Sequence, residues 1–202
     1  MVPKMSEKGF TLVELLVAMV ASLIVLGAIC GMFIVQNKSY EQQSQIIEMQ
    51  ENARAGIQMM TRETMMAGYD PTGNAGAGIV AASANSIQFT MDLDGDQNVT
   101  GSNENVTYAL DTTDNQLTRK GTAGGNADPL AENIPTGGLV FRYYDSGNTE
   151  LLPSPSLSLA DMAGVRRITI QLTARTKKPD PDYGGYRTRT LTSDVTPRNL
   201  GL

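Results

Sequence analysis

An oxygen-bearing side chain stands at every second position of Asp92-Leu93-Asp94-Gly95-Asp96-Gln97-Asn98. That is the spacing by which a loop wraps several hard ligands around one calcium ion. Asp92, Asp94, Asp96 and Asn98 are the candidate ligands. An EF-hand would also place glycine at its sixth position and glutamate at its twelfth, whereas Gln97 and Asn103 stand there and Glu104 comes one step late. Two readings fit the segment: a calcium loop of another kind linking two strands, or an Asp/Asn/Gly turn that closes a hairpin without metal. The second chemically unusual residue is Glu14, a carboxylate one turn inside an apolar run, where insertion into a bilayer is costly and calls for a partner or a function. A cut between Gly9 and Phe10 would create an α-amino cation four residues before Glu14, and the glutamate of one subunit could meet the amine of another. Alternatively Glu14 snorkels to the headgroups.

Composition removes other chemistries. The 202 residues include no histidine, which excludes Ser-His-Asp and Cys-His nucleophile arrangements, histidine general bases and His-rich zinc sites. No set of nucleophile, base and orienting group is visible, so no enzyme is expected. Sixteen basic against 21 acidic side chains give a net charge of −5. Without a basic field or a basic patch interleaved with aromatics, nucleic acid is not expected as a partner. The lone cysteine, Cys30, cannot form an internal disulfide and reads as a small hydrophobe inside the apolar run. Gly73-Asn74-Ala75-Gly76-Ala77-Gly78 lacks the Lys-Ser/Thr of a phosphate loop and reads as a flexible link.

The elements that must position these residues follow from periodicity. Leu15 to Val35 is an uncharged run of 21 residues, about 31 Å as a helix, which matches a bilayer core. Lys4 and Lys8 precede it, so the leader is expected to stay cytoplasmic and the rest to be exported. No small-residue cleavage site follows the run, so a single-pass anchor is expected to be retained. Beyond Val35 the chain turns polar but keeps a helical pattern, with Ile46, Met49, Ala53, Ile57, Met60 and Thr64 on one face. Gly27, Gly31 and Gly56 are sites of weakening, and Gly68 with Pro71 ends the helix. Met49, Met59, Met60, Met65 and Met66 suit either core packing or an adaptable surface.

From residue 71 onward, short alternating runs between turn signals predict strands at Ser86–Met91, Val106–Asp111, Leu117–Lys120, Leu139–Tyr144, Val165–Thr176 and Tyr186–Val195. Ile87, Phe89, Met91, Val106, Tyr108, Leu110, Leu139, Phe141, Tyr143, Ile168, Ile170, Leu172 and Ala174 should face inward. The expected fold is α+β: a long N-terminal helix, with a transmembrane half and an amphipathic half, packed on an antiparallel β-sheet head. The divisions are 1–9 leader, 10–35 transmembrane helix, 36–70 amphipathic helix and 71–202 β-rich head. Arg166 and Arg167 read as a docking patch or, by strand alternation, as at least one solvent-facing arginine.

Lys8-Gly9-Phe10-Thr11-Leu12-Val13-Glu14-Leu15 resembles the cleavage and methylation motif of type IV prepilins and type II secretion pseudopilins. The leader, the Gly-Phe junction, the fifth-position glutamate and the apolar run all fall in register. The resemblance implies a pilin fold in which a prepilin peptidase cuts between Gly9 and Phe10, Phe10 is methylated and Glu14 guides subunit docking. Arg62 with Ala67-Gly68-Tyr69, and the late segments Val165–Arg175 and Val195–Leu200, resemble PilW-type minor pilins. The middle of the chain, roughly Thr72 to Ser158, resembles no family in particular. The implied role is a minor pilin in the priming or tip complex of a type IV pilus. Its implied partners are the prepilin peptidase, other minor and major pilins, the inner-membrane assembly platform and the lipid bilayer. It would lie in the bacterial inner membrane and then in the pilus at the cell surface. The alternatives are a J-type minor pseudopilin of a type II secretion system and a membrane-tethered adhesin whose head binds calcium. No cofactor is required; calcium is the one candidate. In a bacterial protein the sequons at Asn98 and Asn105 carry no weight.

Overall fold

The structure, a computed structural model, describes residues 9–201; expectations that rest on Lys4, Lys8 and the rest of the leader lie outside the described residues. A proline-free stretch rich in Leu, Ala, Met, Gln and Glu forms helix α1, Leu12–Met65, of 54 residues. It runs without a break through Gly27, Gly31 and Gly56, the expected sites of weakening. Gly56 has a packing reason instead. A Cβ there would lie 3.1 Å from Leu117 Cδ2 and 3.4 Å from both Ala131 Cβ and Leu172 Cδ2, so the bare backbone lets the helix approach the strands closely. The helix ends as expected. Gly68 takes φ +80° with a Cβ position 2.7 Å from Leu200 Cδ2, and its amide donates to Thr90 O at 2.9 Å.

The chain divides into two compact units between Ser44 and Gln45. In the first, the apolar residues from Leu12 to Val35 are exposed on every side of the helix. Surface of this kind is stable only against lipid or other helices, and the helix is long and apolar enough to cross a membrane.

Among the described residues, the second unit joins the remainder of α1 to nine strands. They are β1 (Ile79–Ala82), β2 (Ser86–Thr90), β3 (Asn105–Asp111), β4 (Gln116–Lys120), β5 (Asp128–Ala131), β6 (Leu139–Tyr144), β7 (Glu150–Leu151), β8 (Arg167–Arg175) and β9 (Thr188–Val195). A short helix, α2 (Leu159–Gly164), precedes β8. The strands form two antiparallel sheets, β1-β2-β3-β4-β5 and β7-β6-β8-β9, so the head is antiparallel β as expected. Tyr143 fixes their junction: its hydroxyl donates to Ser83 O at 2.8 Å, while the Phe141 amide donates to Ala84 O at 2.8 Å.

Alternation placed the core correctly. Every residue expected to face inward is buried except Leu110, which is half-buried. On α1, Met49, Ala53, Ile57, Met60 and Thr64 are buried and Ile46 is partly so. Of the methionines, Met49 and Met60 are core residues, Met59 and Met65 are half-buried, and Met66 is exposed. The sequence reading missed β1, β5, β7 and α2. β5 contains Pro129 and sits at a sheet edge, where a strand tolerates proline. The other three are too short for a period to emerge.

Glu63 is buried beneath the first sheet. Its Oε2 accepts from Tyr108 Oη at 2.5 Å and Arg119 Nε at 2.9 Å, and its Oε1 accepts from Arg119 Nη2 at 3.0 Å. Arg119 Nη2 also reaches Asn103 Oδ1 at 2.9 Å. One carboxylate thus ties α1 to β3 and β4. Burial, reinforced by the Glu63 charge, pushes the Tyr108 hydroxyl well above the ordinary phenol range.

The glycine-rich link is tied down, which corrects its reading as a flexible connector. Asp70 Oδ1 accepts from Thr72 N at 3.1 Å, Thr72 Oγ1 at 3.0 Å and Gly73 N at 2.7 Å. Its Oδ2 accepts from Ala75 N at 2.8 Å and Gly76 N at 3.1 Å. Desolvation alone would raise this carboxyl, but the bonds from Thr72 and the amides outweigh it and hold it below the ordinary carboxylate value. Asp180 is lowered likewise, chiefly by the hydrogen bond from Arg187 against an opposing desolvation. A carboxyl lowered in the fold stabilises above its unfolded value, about 4, and loses that contribution as pH falls through the folded value. Thermal stability followed by circular dichroism should therefore hold from neutrality to about pH 5 and drop below about pH 4. Asp70→Asn, already uncharged, should show a shallower drop; an equally steep one would refute the assignment.

Candidate functional site

Gly9 and Phe10 lie just before α1, outside any helix or strand, and both are exposed. Phe10 is 87% exposed, and a Cβ at Gly9 would meet nothing within 4 Å. An uncovered peptide bond outside regular structure is what a protease needs to reach. Helix α1 starts immediately afterwards, and its first turn explains Glu14. The Glu14 carboxylate Oε2 accepts from both the amide and the hydroxyl of Thr11 at 2.9 Å. The Glu14 amide donates back to Thr11 Oγ1 at 3.2 Å. This reciprocal pair is a capping box, with Thr11 at the N-cap and Glu14 three residues on. The sequence reading overlooked it although Thr11-Leu12-Val13-Glu14 spells it. Within a single chain, then, the carboxylate has a local partner.

The Asp-rich loop belongs to the second unit, between β2 and β3. Asp92, Asp94 and Asp96 each bring one carboxylate oxygen within 4.8 Å of the others'. Asp92 is buried and the other two are exposed. The loop is built from its own amides: Asp92 Oδ1 accepts from Gly95 N at 2.7 Å and Asp92 Oδ2 from Gln97 N at 3.2 Å. Asp94 Oδ1 accepts from Asp96 N at 3.1 Å and Asp96 Oδ1 from Asn98 N at 3.0 Å. The Asn98 side-chain amide donates to Asp96 Oδ2. Glu104, dismissed as misplaced for an EF-hand, braces the loop: buried, it accepts from Leu93 N at 2.9 Å and from Gly101 N at 2.8 Å. Hard oxygen donors are what calcium prefers, and each carboxylate oxygen keeps a second lone pair beyond its amide bond.

The remaining sequence candidates resolve into structure. Arg166 Nη1 donates to Ala163 O and Val165 O, both at 2.8 Å. Arg167 stacks 3.7 Å over the Tyr144 ring and pairs with Asp194 at 3.2 Å. Both arginines are half-buried, so neither simply faces solvent. A groove of about 440 Å³ runs between α1 and β9; its ionisable lining is Arg54 and Arg62, which cannot cycle protons as a general acid or base would.

Residues 4–29 match the family described as the prokaryotic N-terminal methylation motif. The chain therefore carries the prepilin methylation motif, and with it an apolar helix suited to anchoring. No curated protein matches the sequence. Among solved structures, the chain is similar to a type IV-like pilin from Thermus thermophilus at 12% identity and a TM-score of 0.45, over 75% of this chain and 97% of that one.

Proposed function

We propose that the chain is a minor pilin, a structural component of the priming or tip complex of a type IV pilus. It is held in the inner membrane by α1 until it is drawn into the filament. The observation that carries this reading is the register of Gly9, Phe10, Glu14 and the Leu15–Val35 run within the matched motif. In this reading a prepilin peptidase cuts the exposed Gly9–Phe10 bond and the new amino terminus is methylated. Assembly then exchanges the Thr11 contacts of Glu14 for the amine of a neighbouring subunit, while the apolar face of α1 leaves lipid for the helices of other pilins. Amino-terminal mass spectrometry of the membrane and sheared-filament pools tests it. Both pools should begin at methylated Phe10. An intact leader in both would end the proposal, and recovery only with a secretion pseudopilus would move the chain to the J-type pseudopilins.

Calcium at Asp92, Asp94, Asp96 and Asn98 is the cofactor part of the proposal, supported by the hard-oxygen donor set and by the convergence of the three aspartates; Asn98 Oδ1 accepts from Thr100 N and Oγ1. Calorimetry of the full chain with calcium chloride should show saturable binding in about the 0.1–1 mM range typical of extracellular modules, abolished in Asp94→Asn/Asp96→Asn. No heat in that range would leave the loop as a metal-free turn.

A further inference from the structure

The segment joining β8 to β9 carries basic side chains interleaved with tyrosines, which corrects the expectation that no such patch exists. β8 and β9 are joined by residues 176–187, and from Arg175 to Arg189 the chain carries five basic and two acidic side chains on a protein of net charge −5. The connection is braced rather than loose. Asp180, buried, accepts from Arg187 Nε at 2.6 Å and from the Asp182 amide at 2.9 Å, and its own amide donates to Gly185 O at 2.7 Å. One of the two acidic groups is thereby committed to an internal arginine. The guanidinium of Arg187 lies 5.1 Å from the Tyr183 ring centre and that of Arg175 lies 4.6 Å from the Tyr186 ring centre. Tyr183 is 63% exposed and Tyr186 41%; Lys177, Lys178 and Arg189 are exposed beside them.

We propose that this hairpin binds the headgroups of anionic phospholipids in the membrane that anchors the chain. Lys177 and Arg189 would meet phosphate oxygens, and Tyr183 and Tyr186 would take the half-wet position that aromatic side chains favour at a membrane surface. Charge complementarity selects the ligand, and the chain supplies proximity. The Lys178 amide donates to Gln45 Oε1 at 3.0 Å, and Gln45 follows the end of the apolar run by ten residues. Ten residues reach at most about 35 Å even when fully extended, so the tether gives weak headgroup contacts a high effective concentration. The inference rests on the membrane-anchor reading of α1.

The chain contains no tryptophan, so Tyr183→Trp gives a single reporter. The full-length variant is placed in nanodiscs of phosphatidylcholine with or without phosphatidylglycerol, with quencher lipids brominated near the headgroup. Quenching should be at least about twofold greater in the anionic discs and should fall back at raised salt. It should also be lost when Lys177→Glu and Arg189→Glu are added, with an unchanged circular dichroism spectrum. A chain that does not co-elute with the discs overturns the anchor and the proposal with it. Incorporation with equal quenching in both lipids overturns the hairpin proposal alone. A tryptophan that responds to a single-stranded oligonucleotide but not to phosphatidylglycerol assigns the patch to nucleic acid and likewise overturns it.

Discussion

Glu63→Ala is expected to lower the stability of the head by about 3–5 kcal/mol, the usual cost of removing one partner from a buried pair. The side chains of Glu63 and Arg119 are only 11% and 16% exposed, so solvent cannot replace what is lost. The substitution strands the Arg119 guanidinium and the Tyr108 hydroxyl together, and both depend on the same carboxylate oxygen. In a head of this size the melting temperature should fall by roughly 10 °C. Glu63→Gln should cost less, because its carbonyl still accepts from Tyr108. The combined replacement Glu63→Met, Arg119→Met, Tyr108→Phe should recover most of the loss, since exchanging a whole buried polar network for apolar groups is often close to neutral. Denaturant titration of the full chain in detergent, followed by circular dichroism, measures all three. A loss for Glu63→Ala below about 1 kcal/mol, the range of a surface pair, would mean that the network does not hold helix to sheet.

Glu14→Ala is expected to leave cleavage at Gly9–Phe10 and membrane retention intact while reducing the filament pool by about tenfold or more, the effect of losing little more than 1.4 kcal/mol of subunit pairing. The structure adds a control. Glu14 has two separable tasks: capping the first turn of α1 through Thr11 and, in the proposed assembly, meeting a neighbour's amine. Thr11→Ala removes the cap, worth about 1 kcal/mol, but leaves the carboxylate in place. Near-normal incorporation of Thr11→Ala beside a strong defect in Glu14→Ala separates pairing from capping. Equal defects would reduce Glu14 to a helix cap, and full filament recovery with Glu14→Ala would remove it from assembly altogether. Immunoblots of sheared and membrane fractions read these outcomes directly.

The processing motif and anchor are written in local sequence because their physics is local. A peptidase reads a few consecutive residues, a bilayer reads the length of an uncharged run, and the Thr11–Glu14 cap closes across three residues. The core was equally legible, since a period of two along a strand or of 3.6 along a helix decides which face is buried whatever the topology. Ile87, Phe89, Ile168, Ile170, Met49 and Ala53 all follow from that rule. Pairing across distance was not legible. The partition of the strands into two sheets, Gly56 beneath Leu117 and Leu172, and the convergence of Glu63 with Tyr108 and Arg119 each join residues dozens of positions apart. The placing of Arg175 over Tyr186 and of Arg187 over Tyr183 depends in turn on the path of the β8–β9 hairpin. Sequence by itself thus determined the methylation motif, a helix long and apolar enough to cross a membrane and which residues the head buries, because those features are set residue by residue. Tertiary structure alone decided which charges meet, because an ion pair or a stacked cation needs two groups within a few ångströms, and the fold sets that distance.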